Sequence, residues 1–71
     1  MNYYVIEITE TQAEDGTITS NRPAPLGFTE FKKAKARAHS RGGELLASEK
    51  YSHVLVYVTD INGNTYDKVT D

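Results

Sequence analysis

Residues 60 to 71 read D-I-N-G-N-T-Y-D-K-V-T-D, and their spacing raises a question of metal chemistry. Asp60, Asn62 and Asn64 stand at positions 1, 3 and 5, with Asp71 at position 12. That is the ligand spacing of a helix–loop–helix calcium loop, which also needs glycine at position 6 and a bidentate glutamate at position 12. Here position 6 is Thr65, the glycine falls at position 4 as Gly63, and position 9 is Lys68, a cation aimed at a cation site. Position 12 is the last residue, and no exit helix follows it. Asp, Asn and Gly at positions 1, 3 and 4 suit instead a type I turn in which Gly63 takes positive φ, or a two-residue Asn62-Gly63 hairpin turn. We read a turn. A metal-binding module over 60–71 is the weakest of three functional readings.

Other constellations that could carry chemistry are equally thin. The two histidines, His39 and His53, lie 14 residues apart with no partner at metal spacing. There is no cysteine and no G-x-S-x-G turn, so nucleophilic catalysis has no candidate. No carboxylate pair falls on an apolar strand face where a raised pKa could support acid–base work. No glycine-rich phosphate loop occurs. The expectation is a protein that is not an enzyme and takes no cofactor.

The basic residues form the more substantial pattern. Lys32, Lys33, Lys35, Arg37 and Arg41 face only Glu30 between residues 30 and 41, a local balance of +4 within a chain of net charge −2, so the remainder sums to −6. At 100° per residue, Lys32, Lys33 and Arg37 fall opposite the Phe31/Ala38 stripe, with Lys35 and Arg41 on its flanks. A solvated face with snorkelling side chains would look like this. So would a phosphate-tracking surface, and these five residues are the possible polyanion-binding site. The acidic remainder opposes a broad nucleic-acid contact. The tyrosines at 3, 4, 51, 57 and 66 could stack bases, but the glycine-aromatic signature of an RNA-recognition sheet is absent, and packing is their expected role.

The elements that must position these residues follow from periodicity. Asn2 to Thr11 is rich in aromatic and β-branched residues, with Tyr4, Ile6 and Ile8 on one face and Tyr3, Val5, Glu7 and Thr9 on the other. Asp15-Gly16 marks a hairpin, Thr17–Thr19 a short return strand, and Pro23 and Pro25 its end. Leu26-Gly27 completes a loop. Thr29 is the expected N-cap, with Glu30 in the first turn. Phe31, Ala34, Ala38, Gly42 and Leu45 then recur at three and four residues, a narrow stripe of mostly small side chains that should lie close to what it covers. Gly42-Gly43 allows one helix over 29 to about 49 or a helix ending near Arg41 with a second turn at 44–49; the stripe keeps its phase across the glycines, which favours one helix. His53–Thr59 is a strand apolar on both faces, and Thr65–Val69 its antiparallel return. The whole is α+β, ββαββ: one sheet of four mainly antiparallel strands with a helix across one face.

Seventy-one residues make one domain, 1–71, and a chain of this size buries only about 60% of its unfolded surface. No apolar run is long enough to span a membrane, and the N-terminal residues lack the pattern of a signal peptide. Without disulfides or metal, oligomerisation is the most available source of further buried surface. The Tyr3-Tyr4-Val5-Ile6-Glu7-Ile8 opening, the Asp-Gly turn, the Ala- and Lys-rich helix with its His-Ser, and the closing strand and Asn-Gly turn resemble small uncharacterised accessory proteins of phages and prophages. Gly42-Gly43 and the Asn21–Phe28 loop depart from that pattern. The resemblance implies a cytoplasmic or virion-associated protein and carries over no catalytic residue. The leading expectation is a non-enzymatic interaction or structural module, self-associating or binding another protein through the uncovered sheet face or a sheet edge, with Tyr3, Val5, Leu55 and Tyr57 as possible interface. The alternative is a nucleic-acid binder using the basic helix 30–41.

Overall fold

A computed structural model describes residues 2–70. Strand β1 (Tyr3–Gln12) turns into β2 (Ile18–Asn21); after a proline-bearing excursion comes β3 (Leu26–Phe28), then helix α1 (Phe31–Ser48), β4 (His53–Asp60) and β5 (Thr65–Thr70). All strands join one antiparallel sheet, with β1 and β4 central and β5 outside β4. The other side of β1 is shared: β3 pairs with residues 3–5 and β2 with residues 9–12. The sheet therefore has five strands rather than four. β2 and β3 act as one edge strand interrupted at Arg22–Pro25, where Pro23 and Pro25 have no N–H to give a ladder.

Both hairpins turn on glycine. Gly16 and Gly63 have φ of 91° and 86°, the region that costs a residue with a Cβ most. Asp15 Oδ1 accepts the Thr17 N–H at 2.9 Å in the first turn. In the second, the Gly63 N–H reaches the Asp60 carbonyl at 3.1 Å.

The helix runs unbroken through Gly42-Gly43. It covers one face of the sheet with Ala34, Ala38, Gly42 and Leu45, all buried, packed over Val5 of β1 and Val54, Val56 and Val58 of β4. Ala and Gly bring the helix axis near the sheet, and Val fits the thin space that remains. Phe31, the first helical residue, lies 5.5 Å from the Tyr3 ring and 5.4 Å from the Tyr66 ring, the latter edge-on, a favoured aromatic geometry. Starting the helix at Phe31 makes Glu30 the N-cap, in extended backbone and without a side-chain cap bond. Thr29, the expected cap, lies one residue too early. Glu49 ends the helix with φ 58°.

The register then decides which face of β1 is covered, and it reverses the sequence-based expectation. Val5 lies opposite Val58, Glu7 opposite Val56 and Thr9 opposite Val54, on the helix side; Ile6 lies opposite Tyr57 and Ile8 opposite Leu55, on the other. Tyr3 and Val5 thus do not share a face with Leu55 and Tyr57, and Val5 is part of the core. The bulkier β1 face, Tyr4, Ile6 and Ile8, is the one left open. A close-lying Ala/Gly helix has no room for it, and alternating side chains allow no compromise between the two faces.

Candidate interaction surfaces

The sheet face away from the helix carries a row of apolar side chains on its central strands. Tyr4, Ile6 and Ile8 stand beside Thr59, Tyr57 and Leu55 on the two central strands, each half-buried, on the face away from the helix. Such directly opposed pairs stabilise the sheet. Glu10 and His53, also opposite each other, close one end. Ile18, paired with Gln12, extends the apolar surface onto the β1–β2 hairpin and is 60% exposed. Of the four residues expected at an interface, this face holds Leu55 and Tyr57 and excludes Tyr3 and Val5. Tyr4, Ile6 and Ile8 are the members that sequence reasoning placed on the wrong side.

The basic helix is less free than its composition implies. Lys32, Lys33, Lys35 and Arg37 are exposed, but Arg41 reaches across to β1. Its Nε donates to Glu7 Oε1 at 2.8 Å and a terminal nitrogen donates to Oε2 at 3.3 Å, a two-pronged contact, while its other terminal nitrogen reaches Glu44 at 3.3 Å. The hydrogen bond to Glu7 holds the guanidinium pKa above its ordinary value. Lys35 lies 3.9 Å from Asp67, which His39 also approaches at 3.6 Å. Lys33 lies 3.8 Å from Glu30. Among the described residues, Lys32 and Arg37 are the members of the five that make no ion pair. Asp67 reaches the helix because β5 bulges there: Asp67 and Lys68 together oppose Tyr57, and Asp67 has φ 48°.

The Asp60 turn uses its carboxylate as internal scaffolding. Oδ1 accepts the Asn62 and Asn64 N–H groups at 2.9 and 3.0 Å, and Oδ2 accepts Asn64 Nδ2 and the Tyr66 hydroxyl, both at 3.0 Å. Oxygens committed to four donors are poor cation ligands, and the carboxylates of the turn do not gather into a metal cluster among the described residues; Asp71 lies outside them. The turn reading of 60–64 accounts for each of these contacts. Chiefly through the Asn64 side chain, and further through the Asn64 N–H, the Tyr66 hydroxyl and the Asn62 N–H, Asp60 is held below its ordinary pKa of 3.8. A carboxyl lowered by folding contributes stability above its unfolded pKa and loses it as pH falls through the lower folded value. Acidification below pH 3.8 should therefore loosen the β4–β5 hairpin. Amide exchange at Asn62, Gly63 and Asn64 should rise there, and Asp60→Asn should flatten that rise. An unaltered acid response in the variant would contradict the assignment.

No described helix is long and apolar enough to cross a membrane. Compared with protein-family models, with curated proteins and with solved structures, the chain matches none of them.

Proposed function

We propose that the protein is a non-enzymatic interaction module that binds protein through its open sheet face. The observation that supports this reading is the row of Tyr4, Ile6, Ile8, Leu55 and Tyr57 left uncovered on the central strands. Contiguous apolar surface of this kind on a small domain marks a binding site far more often than scattered exposed residues do. An origin as a phage or mobile-element accessory protein, cytoplasmic or virion-associated, accords with the sequence resemblance.

The competing reading, nucleic-acid binding by the helix, loses its flank. With Arg41 held by Glu7, Lys35 beside Asp67 and Lys33 near Glu30, the members of the five without an ion pair among the described residues are Lys32 and Arg37. Amide shifts of labelled protein, titrated in low salt with short duplex DNA and then with single-stranded RNA, test the choice. The helix signals should stay in place. Shifts concentrated on residues 32–41 that vanish with added salt would reverse the assignment, because counterion release makes phosphate binding steeply salt-dependent.

A further inference from the structure

We infer that the occupant of the open sheet face is a second copy of this chain, packed sheet to sheet with both helices outward; the inference rests on the reading of that face as a protein interface. Three observations carry it. The first concerns the edges. Sheets of small proteins associate either edge to edge or face to face, and here both edges are blunted. The β2–β3 edge is interrupted by Pro23 and Pro25, and the β5 edge is bulged at Asp67 with left-handed backbone. These are devices that prevent strand addition. They leave the face.

The second is area. The accessible surface is 4786 Å² for a mass of 7.9 kDa, against roughly 4400 Å² for a compact monomer of that mass. Four strands at about 4.8 Å spacing and eight residues at about 3.4 Å give a face of roughly 500 Å² in projection. Side-chain relief raises this towards the roughly 600–800 Å² that each partner contributes to a stable interface.

The third is charge. The face carries Glu10 opposite His53 at one end and Tyr4 opposite Thr59 at the other, with the exposed Lys68 of the β5 edge beside Tyr57. An isologous pair must match this surface to itself. A two-fold axis perpendicular to the strands lays the Tyr4–Thr59 end of one copy over the Glu10–His53 end of the other. The two Glu10 carboxylates then stay apart. An axis along the strands would bring like ends together. The geometry is that of an aligned sandwich, with Ile6, Ile8, Leu55 and Tyr57 interdigitating at its centre.

Sedimentation velocity and light scattering of the full chain, from micromolar to high-micromolar concentration, test this. The expected result is a reversible dimer and no larger species. Ile6→Lys and Tyr57→Lys should weaken it by more than roughly tenfold while the amide spectrum stays dispersed. If either variant fails to fold, the native protein answers alone: isotope-filtered NOE spectra of mixed labelled and unlabelled chains should connect Ile6 and Ile8 to Leu55 and Tyr57 across copies. A chain that stays monomeric throughout overturns the inference, as does a dimer whose cross-copy contacts arise from β2, β5 or the helix. A monomer would leave the proposed function standing; salt-sensitive nucleic-acid shifts on the helix would remove that reading itself.

Discussion

Alanine at Gly42 destabilises the protein, and alanine at its neighbour Gly43 stabilises it. Both glycines are inside the helix, where alanine is intrinsically better by about 1 kcal/mol. They differ only in what a Cβ would meet. At Gly43 there is open space, so the propensity gain is realised, about 0.5–1 kcal/mol. At Gly42 a Cβ would fall 2.6 Å from Val69 Cγ1 and 2.9 Å from Val69 Cβ. Those distances require something to shift, and valine has little rotamer freedom with which to yield. Overpacking of this kind costs typically about 1–3 kcal/mol, which exceeds the propensity gain and is large for a domain of this size. The expected net loss is about 1–2 kcal/mol, read from urea unfolding of the single variants. Val69→Ala in the Gly42→Ala background should recover part of it, so that the double variant loses less than the sum. A Gly42→Ala protein as stable as the native one would show that β5 moves away from the helix without penalty.

That contrast also shows how far the sequence reaches. The helical stripe Phe31, Ala34, Ala38, Gly42, Leu45 was legible because its spacing is local, and its phase favoured one helix through both glycines over a helix ending near Arg41. Which glycine touches the sheet was legible in the same phase; what it touches was not, because Val69 is contributed from 27 residues away. The two hairpins were legible from Asp-Gly and Asn-Gly, since positive φ is a property of one or two residues. Strand β3 was not. Three residues with a glycine in the middle have no period, and they become a strand only because β1 offers residues 3–5 an unfilled edge. The reversal of faces has the same origin. Alternation in β1 separates Tyr4, Ile6 and Ile8 from Tyr3, Val5 and Glu7, but it does not say which set is covered. The decision belongs to the small residues of the helix and the valines of β4, which together specify a thin interlayer. Hydrophobicity alone pointed to the bulkier set, and packing chose the smaller.

Arg41→Met lowers stability by about 1–3 kcal/mol, although Arg41 is one residue of a basic stretch that reads as a solvent-facing patch. The reason is Glu7. It stands on the covered face of β1 among Val5, Val56 and Thr9, with its side chain 14% exposed, and Arg41, 32% exposed, meets both of its oxygens. A carboxylate in that position needs donors, and a guanidinium supplies them as a planar fork. Methionine keeps the length and apolar stem of arginine, so the loss reports on the charged contact rather than on packing. Glu7→Gln should cost less, because an amide can still accept from the guanidinium. Glu7→Met with Arg41→Met should cost less than the sum of the two single changes, since removing both partners leaves no polar group stranded. Lys32→Met and Arg37→Met on the exposed helix surface are the comparison, expected within about 0.5 kcal/mol of the native protein. Denaturant unfolding of the set separates two roles within one run of positive charge. If Arg41→Met proves as neutral as Lys32→Met, the fork to Glu7 contributes nothing, and Arg41 returns to the group available for phosphate. If it is costly, the charge asymmetry of residues 30–41 is partly architectural. One of its five cations then secures the helix over β1, on the side of the sheet opposite the face that we assign to binding.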